Sequence, residues 1–294
     1  MTEPVTSIEI SGRSQLVGVM GWPVEHSLSP PMHNAAFNAL GLQYVYVPFA
    51  VEPVHLKSAV QALPALGMRG VNLTIPHKEA AFVLVDELDS SAALAGAVNT
   101  IVQVDGRLKG FNTDGIGFVL PLAAEGFDFH GNRGVILGAG GAARSAAFSL
   151  VARGMHITIV NRTLERARAL AEAVNQWSSN SSVDYVVLNS DDSLRQTIRE
   201  SALLVNTTRV GMHPYETEPP PISAEFLHRG LFVYDLIYNP QETQLLRVAR
   251  EMGCRTLNGV RMLVHQGAAA FELWTGHKPD TSVMETAVLW GLMR

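Results

Sequence analysis

The sequence is poor in cysteine and has no strong excess of charge. Cys254 is the one cysteine among 294 residues. A single thiol excludes an internal disulfide and a metal site built from several cysteines, and it fits a reducing compartment. Lys and Arg number 22 against 27 Asp and Glu, a net charge of −5. Duplex DNA and anionic membranes require a basic face, so we expect neither nucleic acid nor a membrane as a partner.

The chain also lacks a long apolar run. No stretch reaches the roughly 18 apolar residues that a membrane-spanning helix needs. The first segment, Met1–Gln15, carries Glu3, Pro4 and Glu9 where a signal peptide would have a basic start and an apolar run. We therefore expect the protein to be cytoplasmic.

Short apolar runs alternate with longer segments of helical spacing. This alternation predicts βαβ units with mostly parallel sheets. The predicted strands are Leu16–Met20, Tyr44–Phe49, Gly70–Leu73, Val98–Val104, Gly134–Leu137, His156–Val160, Tyr185–Leu188, Leu203–Val205 and Leu231–Asp235. The predicted helices are Pro31–Leu40, Val54–Leu66, Gly141–Arg153, Leu164–Val174, Leu194–Glu200, Glu242–Met252 and Arg261–Trp274.

A chain of 294 residues, at about 150 residues per domain, predicts two domains. The best boundary lies near Asn112–Gly117. We expect an N-terminal α/β domain, 1–115, that the C-terminal helices 261–294 complete. Residues 116–260 are expected to form a second α/β domain. A cleft between two domains is a favoured place for ligands, and we expect one here.

A glycine-rich motif, Gly138–Ala143, directly follows the predicted strand Gly134–Leu137 and opens an alanine-rich helix. It matches the dinucleotide fingerprint in its proper context. In that reading, Gly138 permits the tight turn, Gly140 lets the backbone approach a pyrophosphate, and Ala143 allows close packing of helix on strand. The free N–H groups at the start of the helix bind the anion. An ordinary glycine-rich turn is the alternative.

The end of the next strand indicates which nicotinamide cofactor is bound. Val160 is followed by Asn161, Arg162 and Thr163. Sites that prefer NAD usually place a carboxylate here to accept a hydrogen bond from the ribose. An arginine instead suits a phosphate, by charge and by geometry. Arg166, one helical turn later, could assist, so the sequence predicts NADP; a solvated Arg162 is the alternative.

Two serines, Ser27 and Ser29, lie between a predicted strand and helix. Ser29 is expected to be the N-cap, with proline at the first helical position. The pair would then present two hydroxyls beside a helix N-terminus, which is a natural seat for a carboxylate. Simple capping is the alternative.

Other polar residues stand at the ends of predicted elements. Asn72 and Thr74 are two residues apart and share a face of their strand, and Lys78 opens the next helix. A lysine placed there suits proton transfer. Asn99 and Asp114 also lie at ends of elements. On the residues alone, an exposed lysine and turn-forming Asn and Asp side chains remain open.

Taken together, these segments resemble the shikimate dehydrogenase family. The resemblance implies reversible NADPH-dependent reduction of 3-dehydroshikimate to shikimate, in chorismate and aromatic amino acid biosynthesis. The segments that carry it, in the family's order, are His26–Pro30 with His33-Asn34, Asn72–Lys78, Gly96–Thr100, Asn112–Gly115, Gly138–Ala143, Asn161–Thr163, Asn206–Thr208 with Gly211-Met212, Asp235–Pro240, and Asn258-Gly259 with Met262-Leu263 and Gln266.

The same resemblance implies that 1–115 is the substrate-binding and catalytic domain and that 116–260 is a Rossmann-like NADP-binding domain. It also implies roles for individual residues. Lys78 and Asp114 would form the catalytic pair. The substrate would be bound by Ser27, Ser29, Asn72, Thr74, Asn99, Tyr238 and Gln266. The cofactor would be bound by Gly138, Ala139, Gly140, Gly141, Ala142, Asn161, Arg162, Thr163, Arg166, Leu236 and Gly259.

Reduction of a ketone builds negative charge on its oxygen. A cationic Lys78 would stabilise that charge and deliver the proton, while Asp114 would hold the ammonium, so no metal is expected. Two alternatives stay open: a quinate/shikimate dehydrogenase that tolerates NAD, and a non-catalytic sensor of shikimate-like acids or NADPH. We expect a monomer or a homodimer.

Overall fold

The computed structural model describes residues 10–178, 182–188 and 192–294. Residues 1–9 of the polar first segment lie outside this range. The described chain forms two compact units. The first unit contains the chain up to Gly117 together with Leu263–Arg294, and the second contains Phe118–Met262. None of the helices in the described ranges is long and apolar enough to cross a membrane.

The first unit is built on a six-stranded mixed sheet. The strands are β1 (Gln15–Gly21), β2 (Tyr44–Ala50), β3 (Gly70–Leu73), β4 (Glu87–Leu88), β5 (Thr100–Val104) and β6 (Arg107–Phe111). Their order in the sheet is β2-β1-β3-β5-β6-β4. Strands β1, β2 and β3 are parallel neighbours, whereas β5 pairs antiparallel with both β3 and β6.

The β5–β6 hairpin is the main departure from the predicted parallel pairing. The sequence reading passed over β6 because Arg107 and Lys109 interrupt its apolar pattern. The turn between the strands is Asp105-Gly106, and both residues have positive φ, 49° and 81°. Asp-Gly is a typical sequence for a tight hairpin turn of this kind.

The helices of the first unit come from both ends of the chain. They are α1 (Ser29–Ala39), α2 (Leu56–Ala62), α3 (His77–Ala80), α4 (Ser90–Ala95), the start of α5 (Asp114–Ala124), most of α10 (Val260–Thr275) and α11 (Thr281–Gly291). α11 packs on α1, and Trp274 of α10 donates a hydrogen bond from Nε1 to the Ile101 carbonyl at 3.0 Å. The Tyr44 hydroxyl in turn donates to the Trp274 carbonyl at 3.2 Å.

The second unit is built on a six-stranded sheet in which every neighbouring pair is parallel. The strands are β7 (Arg133–Leu137), β8 (His156–Asn161), β9 (Val183–Val187), β10 (Leu203–Asn206), β11 (Phe232–Asp235) and β12 (Arg255–Leu257), in the order β12-β11-β10-β7-β8-β9. This is the doubly wound Rossmann order, which reverses direction at the first strand, β7. Its helices are most of α5, α6 (Gly141–Val151), α7 (Leu164–Trp177), α8 (Asp192–Arg199) and α9 (Gln244–Glu251).

The switch of strand order at β7 positions a ligand site. In sheets of this kind, ligands bind outside the carboxyl ends of the strands beside the switch point. The segments at those ends follow Leu137, Asn161 and Asn206. The glycine motif and the arginine segment singled out from the sequence therefore lie at the carboxyl edge of the sheet.

Candidate active site

An ion pair joins two elements of the first unit. Lys78 lies on α3, just after the sheet edge at β3, and Asp114 is the first residue of α5. The Lys78 ammonium nitrogen is 2.7 Å from Asp114 Oδ2. The lysine side chain is 31% exposed and the carboxylate 9%. The cation can therefore reach a ligand from solvent, while its counter-ion stays inside the protein.

Asp114 is held from two further directions. Its Oδ1 accepts a hydrogen bond from Asn99 Nδ2 at 2.8 Å, and its backbone N–H donates to Asn112 Oδ1 at 3.0 Å. One carboxylate oxygen is thus bonded to an amide, and the other faces the lysine. This arrangement fixes the ammonium at a defined place.

The two predicted substrate-binding asparagines are buried, and their amides are bonded within the protein. Asn99 donates to the Thr113 hydroxyl as well as to Asp114, and its Oδ1 accepts from the Thr113 N–H at 2.8 Å. Asn72 donates to the Asn99 carbonyl and accepts from the Tyr46 hydroxyl at 2.8 Å. Both side chains therefore shape the interior directly behind the ion pair.

The expected N-cap at Ser29 is wrong. α1 begins at Ser29, the cap position is Leu28, and no side chain caps the helix. A serine cap bonds the N–H of the second or third helical residue. With Ser29 as cap, the second helical residue would be Pro31, which has no N–H, and the N–H of the third, Met32, donates to the Leu28 carbonyl at 3.3 Å. Instead, the Ser27 hydroxyl accepts from the Ser29 N–H at 3.3 Å, and Ser29 itself is buried.

The remaining predicted substrate residues are half-buried. Thr74 directly follows β3, near the start of the short segment that leads to Lys78. Gln266 lies on α10, where its Nε2 donates to the Leu263 carbonyl at 2.8 Å. Tyr238 belongs to the second unit, and burial raises the pKa of its phenol.

In the second unit, the glycine loop connects β7 to α6. Gly138 has φ +109°, and a Cβ there would lie 2.5 Å from Thr207 Oγ1. The close contact with Thr207 and the positive φ therefore both require glycine at this position. At Gly140 and Gly141, by contrast, a Cβ would meet no protein atom within 4 Å. The loop leaves open space above the start of α6, where unpaired N–H groups favour an anion.

The segment after β8 places its positive charge on the surface. Arg162, Thr163 and Arg166 are exposed, while the Asn161 side chain donates to the Thr163 carbonyl at 2.9 Å and shapes the turn. Within the described ranges, no carboxylate lies within ion-pair distance of either arginine. Both guanidinium groups therefore keep their capacity to pair with a phosphate, and the open glycine loop together with this pair fits NADP.

Leu236 and Gly259 meet at the end of β11. A Cβ on Gly259 would lie 2.1 Å from the Leu236 carbonyl oxygen, and the Gly259 N–H donates to the Ile237 carbonyl at 2.9 Å. The close approach of two backbones excludes any side chain at this glycine, which explains why the residue type is required here.

Asp235 is a functional candidate that the sequence analysis did not single out as a site residue. It has no exposed surface. Its carboxylate accepts from Asn206 Nδ2 at 3.0 Å, from the Ile237 N–H at 3.2 Å and from the Thr243 hydroxyl at 2.7 Å. Burial raises its pKa to about 6, against the effect of these hydrogen bonds. This cluster fixes the chain immediately before and after Leu236.

No group of three or more His, Cys, Asp or Glu side chains that could hold a metal ion is found among the residues that the structure describes. Lys78 can donate a proton to an oxygen, and Asp114 can stabilise the ammonium form.

Three family models match the chain. The shikimate dehydrogenase substrate binding domain matches residues 19–101, the shikimate/quinate 5-dehydrogenase model residues 121–211, and the shikimate 5′-dehydrogenase C-terminal domain residues 259–289. Together they span both units, and the first contains Ser27, Lys78 and Asn99.

Known proteins agree with these matches over nearly the whole chain. A curated relative from Methanopyrus kandleri, named shikimate dehydrogenase (NADP(+)), is 49% identical over 96% of this chain and 98% of its own length. A solved shikimate dehydrogenase in complex with NADP+ has a TM-score of 0.92 and 43% identity, covering 97% of this chain and 98% of that chain. A Thermus thermophilus enzyme, solved with NADP(H) and shikimate, has a TM-score of 0.85 and 41% identity, covering 95% and 100%. The chain belongs to the shikimate dehydrogenase family.

Proposed function

We propose that the protein catalyses the reversible, NADP(H)-dependent reduction of 3-dehydroshikimate to shikimate, a step of chorismate and aromatic amino acid biosynthesis. Membership of the family and 49% identity to a curated NADP(+)-dependent relative support this function. The observation that carries it is the ion pair of Lys78 with Asp114, at 2.7 Å. A protein that only sensed its ligands would have no need of such a pair.

The chemistry of the pair follows from the charge that the reaction develops. NADPH, when bound, supplies the hydride that adds to the carbonyl carbon. The Lys78 ammonium donates a hydrogen bond to the carbonyl oxygen, stabilises its growing negative charge and transfers a proton from Nζ to it. In the reverse direction, neutral Nζ accepts the proton of the alcohol. Asp114 acts on Nζ throughout, because it favours the ammonium form and fixes its position.

The first unit is the proposed substrate unit. Ser27 and Ser29, at the start of α1, would hold the substrate carboxylate, and Thr74 and Gln266 would bind its hydroxyls. Tyr238 of the second unit is the further proposed contact. Asn72 and Asn99 also belong to this site. Because protein groups already bond their amides, a substrate hydroxyl would share atoms that are held in place beforehand, which lowers the cost of ordering them.

The second unit is the proposed cofactor unit. The loop Gly138, Ala139, Gly140, Gly141 and Ala142 would take the pyrophosphate at the start of α6. Arg162, Thr163 and Arg166 would take the 2′-phosphate, next to Asn161. Leu236 and Gly259 would also contact the cofactor. The unpaired arginines within the described ranges favour NADP over NAD, since a phosphate dianion offers them the partner that they lack.

The test is a spectrophotometric assay of the purified protein with shikimate and NADP+, repeated with quinate and with NAD+. We expect NADPH to form with shikimate and NADP+, and kcat/KM to be lower for either replacement. Preferred turnover of quinate with NAD+ would assign the protein to the quinate-oxidising alternative. Tight binding of shikimate and NADP+ by calorimetry without turnover would establish a sensor.

We also propose a cytoplasmic location and a monomeric or homodimeric state. A single cysteine fits a reducing compartment. Cell fractionation tests the first statement, and light scattering of the eluted protein tests the second.

A further inference from the structure

A hydrogen-bonded network of buried side chains leads from β2 to the Asp114 carboxylate. Its members are Tyr46, Asn72, Thr100, Asn99 and Asp114. Taken as whole residues, all five are at most 7% exposed. The bonds run from the Tyr46 hydroxyl to Asn72 Oδ1 at 2.8 Å, from Asn72 Nδ2 to Thr100 Oγ1 at 3.0 Å, from Thr100 Oγ1 to Asn99 Oδ1 at 2.9 Å and from Asn99 Nδ2 to Asp114 Oδ1 at 2.8 Å.

Backbone groups determine which way both amides point. Asn99 Oδ1 accepts from the Thr113 N–H, which can only donate. Asn72 Nδ2 donates to the Asn99 carbonyl, which can only accept. These contacts identify the oxygen and the nitrogen of each amide without reference to the other hydrogen bonds of the network.

The proton of each hydroxyl is then assigned as well. Thr100 receives a hydrogen bond from Asn72, so its own proton goes to Asn99 Oδ1. Tyr46 faces the oxygen of Asn72, so its phenol must donate. All the donors therefore point in one direction, towards the negative charge of Asp114. Hydrogen bonds aligned in this way polarise and strengthen one another.

The Tyr46 end of the network is next to Ser29, one of the two serines proposed to bind the substrate carboxylate. Burial raises the pKa of the Tyr46 phenol, and a side-chain hydrogen bond with Ser29 opposes this shift. Because the phenol proton is committed to Asn72, the Tyr46 oxygen acts as an acceptor towards Ser29. The His33 ring stacks on Tyr46, with 4.3 Å between ring centroids and an interplanar angle of 4°, and holds the phenol in place.

We propose that Tyr46 and Thr100 are positioning residues for the reaction, because they fix Asn99 and so set the orientation of the Asp114 carboxylate that holds Lys78. This inference rests on the proposed function. Neither residue needs to touch the substrate: Thr100 has no exposed surface and Tyr46 is 1% exposed. Both act through the amide that donates to Asp114 Oδ1.

The test uses Tyr46→Phe and Thr100→Val, which remove one hydroxyl each and keep the shape of the side chain. Tyr44→Phe is the matched control. Tyr44 lies on the same strand as Tyr46, and its hydroxyl donates to the backbone carbonyl of Trp274, which is not part of the hydrogen-bonded network. Thr100→Ser keeps the hydroxyl and tests rescue. For each variant, the single-turnover rate of NADPH formation, the KM for shikimate, the Kd for NADP+ and the melting temperature are measured.

We expect the single-turnover rate to fall about fivefold in Tyr46→Phe and about tenfold in Thr100→Val, the range that the loss of one or two hydrogen bonds predicts. The Kd for NADP+ should stay unchanged, and Tyr44→Phe and Thr100→Ser should react at nearly the wild-type rate. A wild-type rate in both folded test variants overturns the proposal. So does a rise in the KM for shikimate alone, or an equal loss in Tyr44→Phe. If the wild-type protein itself does not oxidise shikimate, the proposed function fails instead.

Discussion

Lys78 Nζ lies 2.7 Å from Asp114 Oδ2, and the two residues stand at the starts of different helices of one unit. The position of Lys78 depends on where β3 ends, and the position of Asp114 depends on the segment that follows β6. A change in either helix start would separate the charges. Removal of the amine itself is the direct test of the pair.

Lys78→Ala should lower kcat for shikimate oxidation about 10²- to 10⁴-fold, the usual contribution of a general acid–base group. The Kd for NADPH should stay nearly unchanged, because the proposed cofactor residues lie in the other unit. Steady-state kinetics and fluorescence titration with NADPH measure the two quantities. Lys57→Ala removes an exposed lysine of the same unit and serves as the control. Weaker cofactor binding with intact turnover would contradict the assigned role.

Arg162→Ala should reduce kcat/KM for NADP+ by about tenfold to a hundredfold, the equivalent of one charge-assisted hydrogen-bonded contact. The value for NAD+ should change little, since NAD+ has no 2′-phosphate. Arg168→Ala is the matched control, because Arg168 is an exposed arginine on α7, the helix that follows Arg162, but is paired with Glu172 at 2.7 Å. Equal losses for both cofactors would show that Arg162 does not read the phosphate.

Two glycines of one loop should respond differently to alanine. Gly138→Ala should lower the melting temperature, because φ is +109° and the new Cβ would lie 2.5 Å from Thr207 Oγ1. Gly140→Ala should leave stability nearly unchanged, because its Cβ would meet no protein atom within 4 Å. It should instead weaken NADP+ binding, since the methyl group would occupy the proposed place of the pyrophosphate. Calorimetric melting and NADP+ titration separate the effects; unchanged affinity in Gly140→Ala would argue against this place for the cofactor.

The buried Asp235 should make stability depend on pH. Its pKa in the folded protein is raised by burial from 3.8 to about 6. Between these values the folded chain keeps a proton that the unfolded chain releases. The free energy of unfolding therefore falls as pH rises through this window, by about 2 to 3 kcal/mol from this group.

Asp235→Asn should remove that pH dependence and retain the hydrogen bonds to Asn206 and Ile237, since an amide oxygen still accepts. Urea unfolding between about pH 4 and pH 7 measures the difference. Asp184→Asn, at an exposed position of β9, is the control. Parallel pH profiles for Asp235→Asn and the wild-type protein would show that Asp235 does not titrate in this range.

The sequence was most informative where a residue type answers a local demand. Gly138 was predicted to make a tight turn, and its positive φ is the physical reason. Most strands of the second unit were found because parallel strands covered on both faces are almost wholly apolar. The two-residue β4 and three-residue β12 were missed, since so short a segment carries no periodicity.

Contacts between distant strands could not be predicted in the same way. Tyr46 and Thr100 lie within apolar strands and read as core. Thr100 meets Asn72 only because β3 and β5 pair in a register that sets these two residues opposite each other. That register depends on the whole sheet. The start of α1 at Ser29 was also missed, because the sequence reading weighed the serine as a cap without considering the missing N–H of Pro31.

The first unit takes its closing helices from the far end of the chain, and the complete second unit lies between its two parts. The ribosome therefore synthesises every residue of the second unit before it synthesises α11. During most of synthesis, α1 lacks the helix that packs against it. Loss of the last dozen or so residues would leave α1 uncovered while the second unit kept its entire sequence. A truncated product of that kind would retain the proposed cofactor residues but lack a helix of the unit that carries Lys78.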